Sequence, residues 1–140
     1  MELQIKKLHP DAKLPSFAHA TDAGMDLFTV ESFELEPGQS HKAPTGIAIV
    51  IPDGYAGLIW DKSGVGIGRQ IKTLGGVFDS EYRGEYFIGL INLSGEKQTF
   101  TAGDKICQLL IQKIEHPEIV EVNELDETAR GTGGFGSTGA

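Results

Sequence analysis

The sequence predicts an all-β fold, a jelly-roll-like β-sandwich, and three observations carry that expectation. Some short stretches alternate apolar and polar residues, others are apolar throughout, and Gly-containing turns separate them. No segment of about 12 residues shows a helical stripe. In chain order, Leu3 and Ile5 alternate with polar neighbours, as do Phe33 and Leu35, which suits strands with one buried face. Residues 46–51 (GIAIVI) and 56–60 (AGLIW) are continuous apolar runs, the pattern of strands covered on both faces. Residues 85–92 and 105–114 are longer β-rich segments. Pro37-Gly38, Asp53-Gly54, Ser94-Gly95 and Ala102-Gly103 read as the turns between strands.

A chain of 140 residues fits one domain with a real core, and there is no internal repeat or heptad pattern. We place that core in residues 1–125. Residues 126–140 (DETARGTGGFGSTGA) have one aromatic, Phe135, and five glycines in the final ten positions, so they cannot build a core of their own. The plain reading of such a tail is a flexible terminus. The net charge of −8 argues against a sequence-independent nucleic-acid binder, which needs a basic surface. Phosphate chemistry on such a chain requires its few cations to be gathered at one place; the arginines are only Arg69, Arg83 and Arg130. No apolar run approaches the roughly 20 residues that cross a bilayer, and the N-terminus has no apolar core of a signal peptide. The single cysteine, Cys107, leaves no intramolecular disulfide and no metal-ligand spacing. The expected location is cytoplasmic or another reducing compartment.

Four clusters could carry chemistry. The densest is residues 75–85 (GGVFDSEYRGE). It reads either as a solvated turn between strands or as a strand end that holds Asp79 partly buried, where a carboxylate can orient and deprotonate a water. Tyr82 offers a flat face to a sugar or base. Residues 61–68 (DKSGVGIG) read as a Gly-rich loop whose Lys-Ser-Gly turn could meet phosphate oxygens, although the spacing is not that of a Walker loop. In residues 100–109 (FTAGDKICQL), Gln108 interrupts an apolar strand and needs partners, either structural or in a ligand. In residues 20–27 (ATDAGMDL), Thr21 and Asp22 suit a turn and Asp26 an early strand.

Taken together and in order, these segments resemble the five motifs of the trimeric dUTPase family. Ala20-Thr21-Asp22-Ala23-Gly24-Met25-Asp26-Leu27 is similar to the first, one residue short before its Ala-Gly pair. Lys62-Ser63-Gly64 is similar to the second, with lysine where arginine is usual. That change keeps the charge and loses the bidentate fork. Gly76-Val77-Phe78-Asp79-Ser80-Glu81-Tyr82-Arg83-Gly84 resembles the third, with Glu81 where Asp is usual. Gly103-Asp104-Lys105-Ile106-Cys107-Gln108-Leu109 resembles the fourth, and the fifth is complete from Arg130 to Gly139. The resemblance runs from about residue 20 to the end, and five motifs in order make it highly specific.

The resemblance implies a homotrimer of jelly-roll-like subunits with active sites shared between chains, and dUTP as substrate. Its hydrolysis to dUMP and pyrophosphate limits uracil incorporation into DNA and supplies dUMP for dTMP synthesis. Asp79 would orient the water that attacks the α-phosphorus. Lys62, Ser63, Gly64 and Gln108 would contact the phosphates, and Arg130, Gly136, Ser137 and Thr138 would close on their distal end. Mg²⁺ is implied, carried mainly by the triphosphate, with Asp26 reaching one of its waters. Gly76, Val77, Phe78 and the backbone of Phe87 would read uracil, with Thr73 as a further candidate. Tyr82 would pack on deoxyribose and exclude a 2′-hydroxyl. Phe135 would stack on uracil as the tail closes over a neighbour's site like a lid. No nucleic-acid or membrane partner is expected.

Two other readings remain open from the sequence. A dCTP deaminase, or a bifunctional deaminase–dUTPase, shares the fold and the third motif, and ammonia release from dCTP would reveal it. A non-catalytic β-sandwich binding module is the other, disfavoured by the joint presence of Asp79, Tyr82, Arg130 and Phe135.

Overall fold

The computed structural model describes residues 1–139. Ala140, the last residue of the expected lid, lies outside the described residues. The strands in order are β1 (Gln4–Lys7), β2 (Met25–Phe28), β3 (Phe33–Leu35), β4 (Ser40–Pro44), β5 (Ile47–Val50) and β6 (Tyr55–Trp60). A single short helix, α1 (Ser63–Arg69), interrupts them among the described residues. It is followed by β7 (Ile71–Leu74), β8 (Val77–Phe78), β9 (Phe87–Asn92), β10 (Gln98–Phe100) and β11 (Lys105–Lys113). All pairings are antiparallel. The largest sheet runs β2-β11-β6-β8, a second runs β4-β9-β7, and two strand pairs, β1-β5 and β10-β3, complete the fold. Between them lies one core in which Leu27, Leu35, Ile47, Ile49, Tyr86, Leu90, Phe100 and Leu109 are fully buried.

The mostly-β expectation stands, with one correction. Residues 63–69 form a helix where the sequence suggested a loop. Three glycines in seven residues give it poor intrinsic propensity, and it is far shorter than the roughly 12–15 residues of a self-sustaining helix. Tertiary contacts hold it. Val65 is buried, and a Cβ at Gly66 would stand 2.9 Å from the Cβ of Asp61, so the glycine lets the helix lie close over that residue. Arg69 ends it with its guanidinium 4.1 Å over the Phe100 ring, Nε donating to Gln98 Oε1 at 2.9 Å and a terminal nitrogen donating to the Thr99 carbonyl at 2.7 Å.

The two apolar runs behave differently. Ile47, Ala48 and Ile49 are all buried in succession, as expected for a strand covered on both faces. In β6 the burial alternates toward its end, Ile59 is buried, and Trp60 is 55% exposed. Hydrophobicity alone placed Trp60 inside. Its position at the last residue before the chain leaves the sheet puts it on the surface.

Candidate active site

The third-motif segment forms the edge of the largest sheet. Ile59 N–H donates to the Gly76 carbonyl at 2.7 Å, and β8 continues with Val77 opposite Leu58 and Phe78 opposite Gly57. Hydrogen-bonded and non-hydrogen-bonded pairs alternate along an antiparallel ladder. The N–H and C=O of Val77 therefore point away from β6. Gly76 is needed for the approach, because its φ is +137° and a Cβ would lie 3.0 Å from the Ile59 carbonyl oxygen.

The same alternation orients Phe87. Thr45 N–H donates to the Tyr86 carbonyl, so at the next pair, Pro44 opposite Phe87, the backbone of Phe87 points away from β4. On that side β7 has already ended, since its last pair is Leu74 opposite Gly89. The free backbone edges of Val77 and Phe87 thus open on one slot of about 50 Å³, lined by Ile59, Leu74, Gly76, Val77, Phe78 and Phe87 with Ile88 and Gly89. The slot is narrow and rimmed by unpaired amide and carbonyl groups, a combination that suits the edge of a flat heterocycle. The Phe78 side chain is turned inward, stacked on Tyr86 with 3.8 Å between ring centroids, so only its backbone could serve a ligand.

Asp79 follows β8 directly. The sequence expected it partly buried, but its side chain is exposed. The reason is that β8 is a two-residue edge strand, and the Val77 flank that suggested burial is itself exposed. Asp79, Ser80, Glu81 and Tyr82 face Ile114 and His116 across an open cleft of about 530 Å³. Among the described residues Asp79 makes no ion pair. Tyr82 is preset: its hydroxyl donates to the Glu85 carbonyl at 2.9 Å, and Gly84 leaves the room its ring needs.

The second polar centre lies across the β2, β11 and β6 side of the sheet. Asp26 and Trp60 both pair with Gln108, one on each flank of β11. A bulge between Lys105 and Cys107 sets Lys105 on the same face as Gln108, although the two are three positions apart, an odd spacing that would otherwise put them on opposite faces. The Asp26 side chain is 4% exposed and sits between two ammonium groups, Lys62 at 2.7 Å from Oδ1 and Lys105 at 2.7 Å from Oδ2. The approach to Oδ2 is close without being aligned as a hydrogen bond, so that contact is chiefly electrostatic. Burial pushes the Asp26 carboxyl up, Lys105 and Lys62 outweigh it, and the net displacement is below the ordinary value. Ser63 and Gly64 follow Lys62 and are exposed at the start of α1.

Gln108 finds a structural partner, donating from Nε2 to the Asp61 carbonyl at 2.9 Å, while a Cβ at Gly24 would meet its Oε1 at 2.4 Å. Asp61 is the residue that motif reading missed. Its Oδ1 accepts from Thr73 N–H at 2.9 Å and from Thr73 Oγ1 at 2.8 Å, and its Oδ2 meets Lys72 Nζ at 2.6 Å. Thr73, a candidate for base contact, is therefore buried with its hydroxyl on Asp61. The signal was present only as an acid next to Lys62; its partners are 11 and 12 residues away and appear only in the fold.

The tail does not meet either centre through these groups. Arg130 Nε donates to the Gly133 carbonyl at 2.8 Å, within its own segment, and Phe135 is fully exposed at a positive φ. Gly136, Ser137 and Thr138 are likewise exposed, in turns. Ahead of them, residues 115–132 form an exposed arm in which Ile119 is 89% and Leu125 84% accessible, with Val120 and Val122 also outside.

Comparison with known proteins is consistent in sequence and in structure. A family model described as dUTPase matches residues 10–139. The deoxyuridine 5'-triphosphate nucleotidohydrolase of Thermobifida fusca is 45% identical over 142 residues, which cover 99% of this chain and 79% of that protein. The protein of the same name from Mycolicibacterium gilvum is 46% identical over 145 residues, covering 98% and 94%. Among solved structures, a mutant of the Staphylococcus bacteriophage 80alpha dUTPase with dUpNHpp matches with a TM-score of 0.92 at 30% identity, over 99% of each chain. A mutant dUTPase from phage phi11 of S. aureus, described for its coordination of a structural Mg(II) ion, matches with a TM-score of 0.82 at 31% identity, over 89% of this chain and 98% of that one.

Proposed function

This chain belongs to the dUTPase family and is a dUTP nucleotidohydrolase, and we propose that Asp79 is its general base, in a site completed by neighbouring copies. The observation that carries the reading is the slot between Val77 and Phe87 with Asp79 at the end of the strand that lines it. Uracil enters the slot and its ring N–H and carbonyl groups pair with the free backbone edges of Val77 and Phe87. The amino group of cytosine presents a donor where uracil presents an acceptor, and the methyl of thymine has no space. The preset Tyr82 ring covers the deoxyribose and leaves no room for a 2′-hydroxyl.

Asp79 accepts a proton from a water as its oxygen attacks the α-phosphorus. The new O–P bond forms as the bond from the α-phosphorus to the bridging oxygen breaks, and pyrophosphate leaves. Phosphoryl chemistry of this kind is mostly positioning and charge neutralisation. Lys62, Ser63, Gly64 and Gln108 hold the phosphates, and Arg130, Gly136, Ser137 and Thr138 close on their distal end while Phe135 stacks on uracil.

Mg²⁺ fits as an ion brought by the triphosphate. Among the described residues no three His, Cys, Asp or Glu side chains converge to hold a metal. Asp26, the implied contact, has both oxygens against ammonium groups, so its part is limited to a metal-bound water. The bound ion supplies charge neutralisation on the phosphate oxygens.

The assembly is a homotrimer of jelly-roll-like subunits. Its support is that Arg130 hydrogen-bonds within its own segment, that Phe135 is fully exposed, and that the exposed apolar side chains of the arm need a covering surface. Asp79→Asn tests the reading. It keeps the shape and removes the base, so kcat falls by at least about 10²-fold while the affinity for dUpNHpp survives. Near-normal kcat in that variant would place the base elsewhere, with Glu81 next.

A further inference from the structure

Asp61 is itself given no contact with the substrate, yet every acceptor it carries is engaged, and by two different strands. Its side chain takes two donors from Thr73 and one from Lys72, both in β7, and its carbonyl takes the amide of Gln108 from β11. It stands where the chain leaves β6, directly before Lys62-Ser63-Gly64. We propose that Asp61 is a positioning residue of the reaction: it fastens the triphosphate-holding segment to β7 and the Gln108 amide to that segment. The inference rests on the reading that Lys62, Ser63, Gly64 and Gln108 hold phosphates.

The local sequence makes such a fastening necessary. A seven-residue helix with three glycines cannot fix its own first turn, and Lys62 has a long flexible stem where a bidentate arginine is usual in the family. The geometry of Ser63 and Gly64 must therefore come from outside the helix. Asp61 supplies it with three donors on one carboxylate, and Gly66 allows the helix to lie against its Cβ. Burial raises the Asp61 carboxyl, the Lys72 and Thr73 contacts outweigh it, and the net shift is down, which keeps the group an acceptor at neutral pH. Lys72 balances its charge, so a carboxylate one residue from Lys62 does not repel the substrate. β7 also leads through Leu74 into the base slot, which makes Asp61 the link between the base-reading and phosphate-holding parts of one chain.

The test uses full-length Thr73→Val, Thr73→Ser and Ser63→Ala, with calorimetric titration of dUpNHpp and of dUMP. Thr73→Val is nearly isosteric at a buried site and removes one donor to Asp61. It should weaken dUpNHpp by about three- to tenfold and leave dUMP within about twofold, with little change in melting temperature. Thr73→Ser, which keeps the hydroxyl, should restore the analogue affinity. Ser63→Ala should weaken dUpNHpp on its own account. If Ser63→Ala weakens the analogue and Thr73→Val does not, the role of Asp61 is overturned while the phosphate reading stands. If Ser63→Ala has no effect, the phosphate reading fails and takes the inference with it. Equal loss of both ligands, or a variant that no longer folds, would assign the Thr73–Asp61 contact to the fold alone and also overturn the proposal.

Discussion

Replacing Asp26 by Asn should destabilise the protein by about 2 kcal/mol at neutral pH. Removing one partner of a buried ion pair costs about 3–5 kcal/mol, because the other charge is left unpaired. The carboxylate here is almost fully buried, but its partners Lys62 and Lys105 keep 31% and 45% of their side chains in solvent and can swing outward. That relaxation lowers the expected cost. With an unfolding entropy of about 2.1 cal/mol/K per residue, 2 kcal/mol corresponds to a fall in Tm of roughly 7 °C for a chain of this length. Urea denaturation at fixed protein concentration measures it, and a pH series tests the cause. The folded Asp26 carboxyl lies below its ordinary value of 3.8, so the unfolded state binds the proton more readily. The stability from this group is full above the unfolded value and is lost as pH falls through the lower, folded one. The gap between wild type and Asp26→Asn should hold from about pH 7 to 5 and close below about pH 4. A gap under about 0.5 kcal/mol at pH 7, the size of an ordinary surface substitution, or one that widens on acidification, would refute the electrostatic account.

Two further outcomes are expected. Phe135→Ala, or removal of residues 131–140, should leave the core folded, because none of the described residues 131–139 is buried. The loss of the stacking ring should lower kcat/KM by about 5- to 150-fold; an unchanged kcat/KM ends the lid reading. Gly76→Ala forces a Cβ into positive φ and against the Ile59 carbonyl, so it should cost about 1–3 kcal/mol in folding and abolish discrimination at the base slot. Wild-type selectivity for dUTP over dCTP in that variant would show that the slot does not read the base.

The β-architecture was legible because burial in a sheet leaves period-2 and all-apolar signatures, as at Leu3 and Ile5 or across residues 46–51. The helix was not, because residues 63–69 are helical through Val65, Gly66 and Arg69 contacts rather than through propensity. The site was legible as motifs. Sequence spacing placed Asp79 at a strand end, while its exposure followed from an edge strand of only two residues, which no local pattern shows. The contact between Asp61 and Thr73 escaped for a related reason. A carboxylate's partners are set by strand pairing, and β6 and β7 meet through the polar side chain of Asp61 rather than through an apolar pattern.

The most direct test of the account is product chromatography of dUTP, dCTP, dTTP and UTP, each incubated with the protein and Mg²⁺. The slot between Val77 and Phe87 and the Tyr82 ring predict dUMP and pyrophosphate from dUTP, with the other three nucleotides turned over poorly. Equal hydrolysis of UTP would contradict exclusion of the 2′-hydroxyl by Tyr82, and dUTP or ammonia formed from dCTP would contradict the reading of the slot itself.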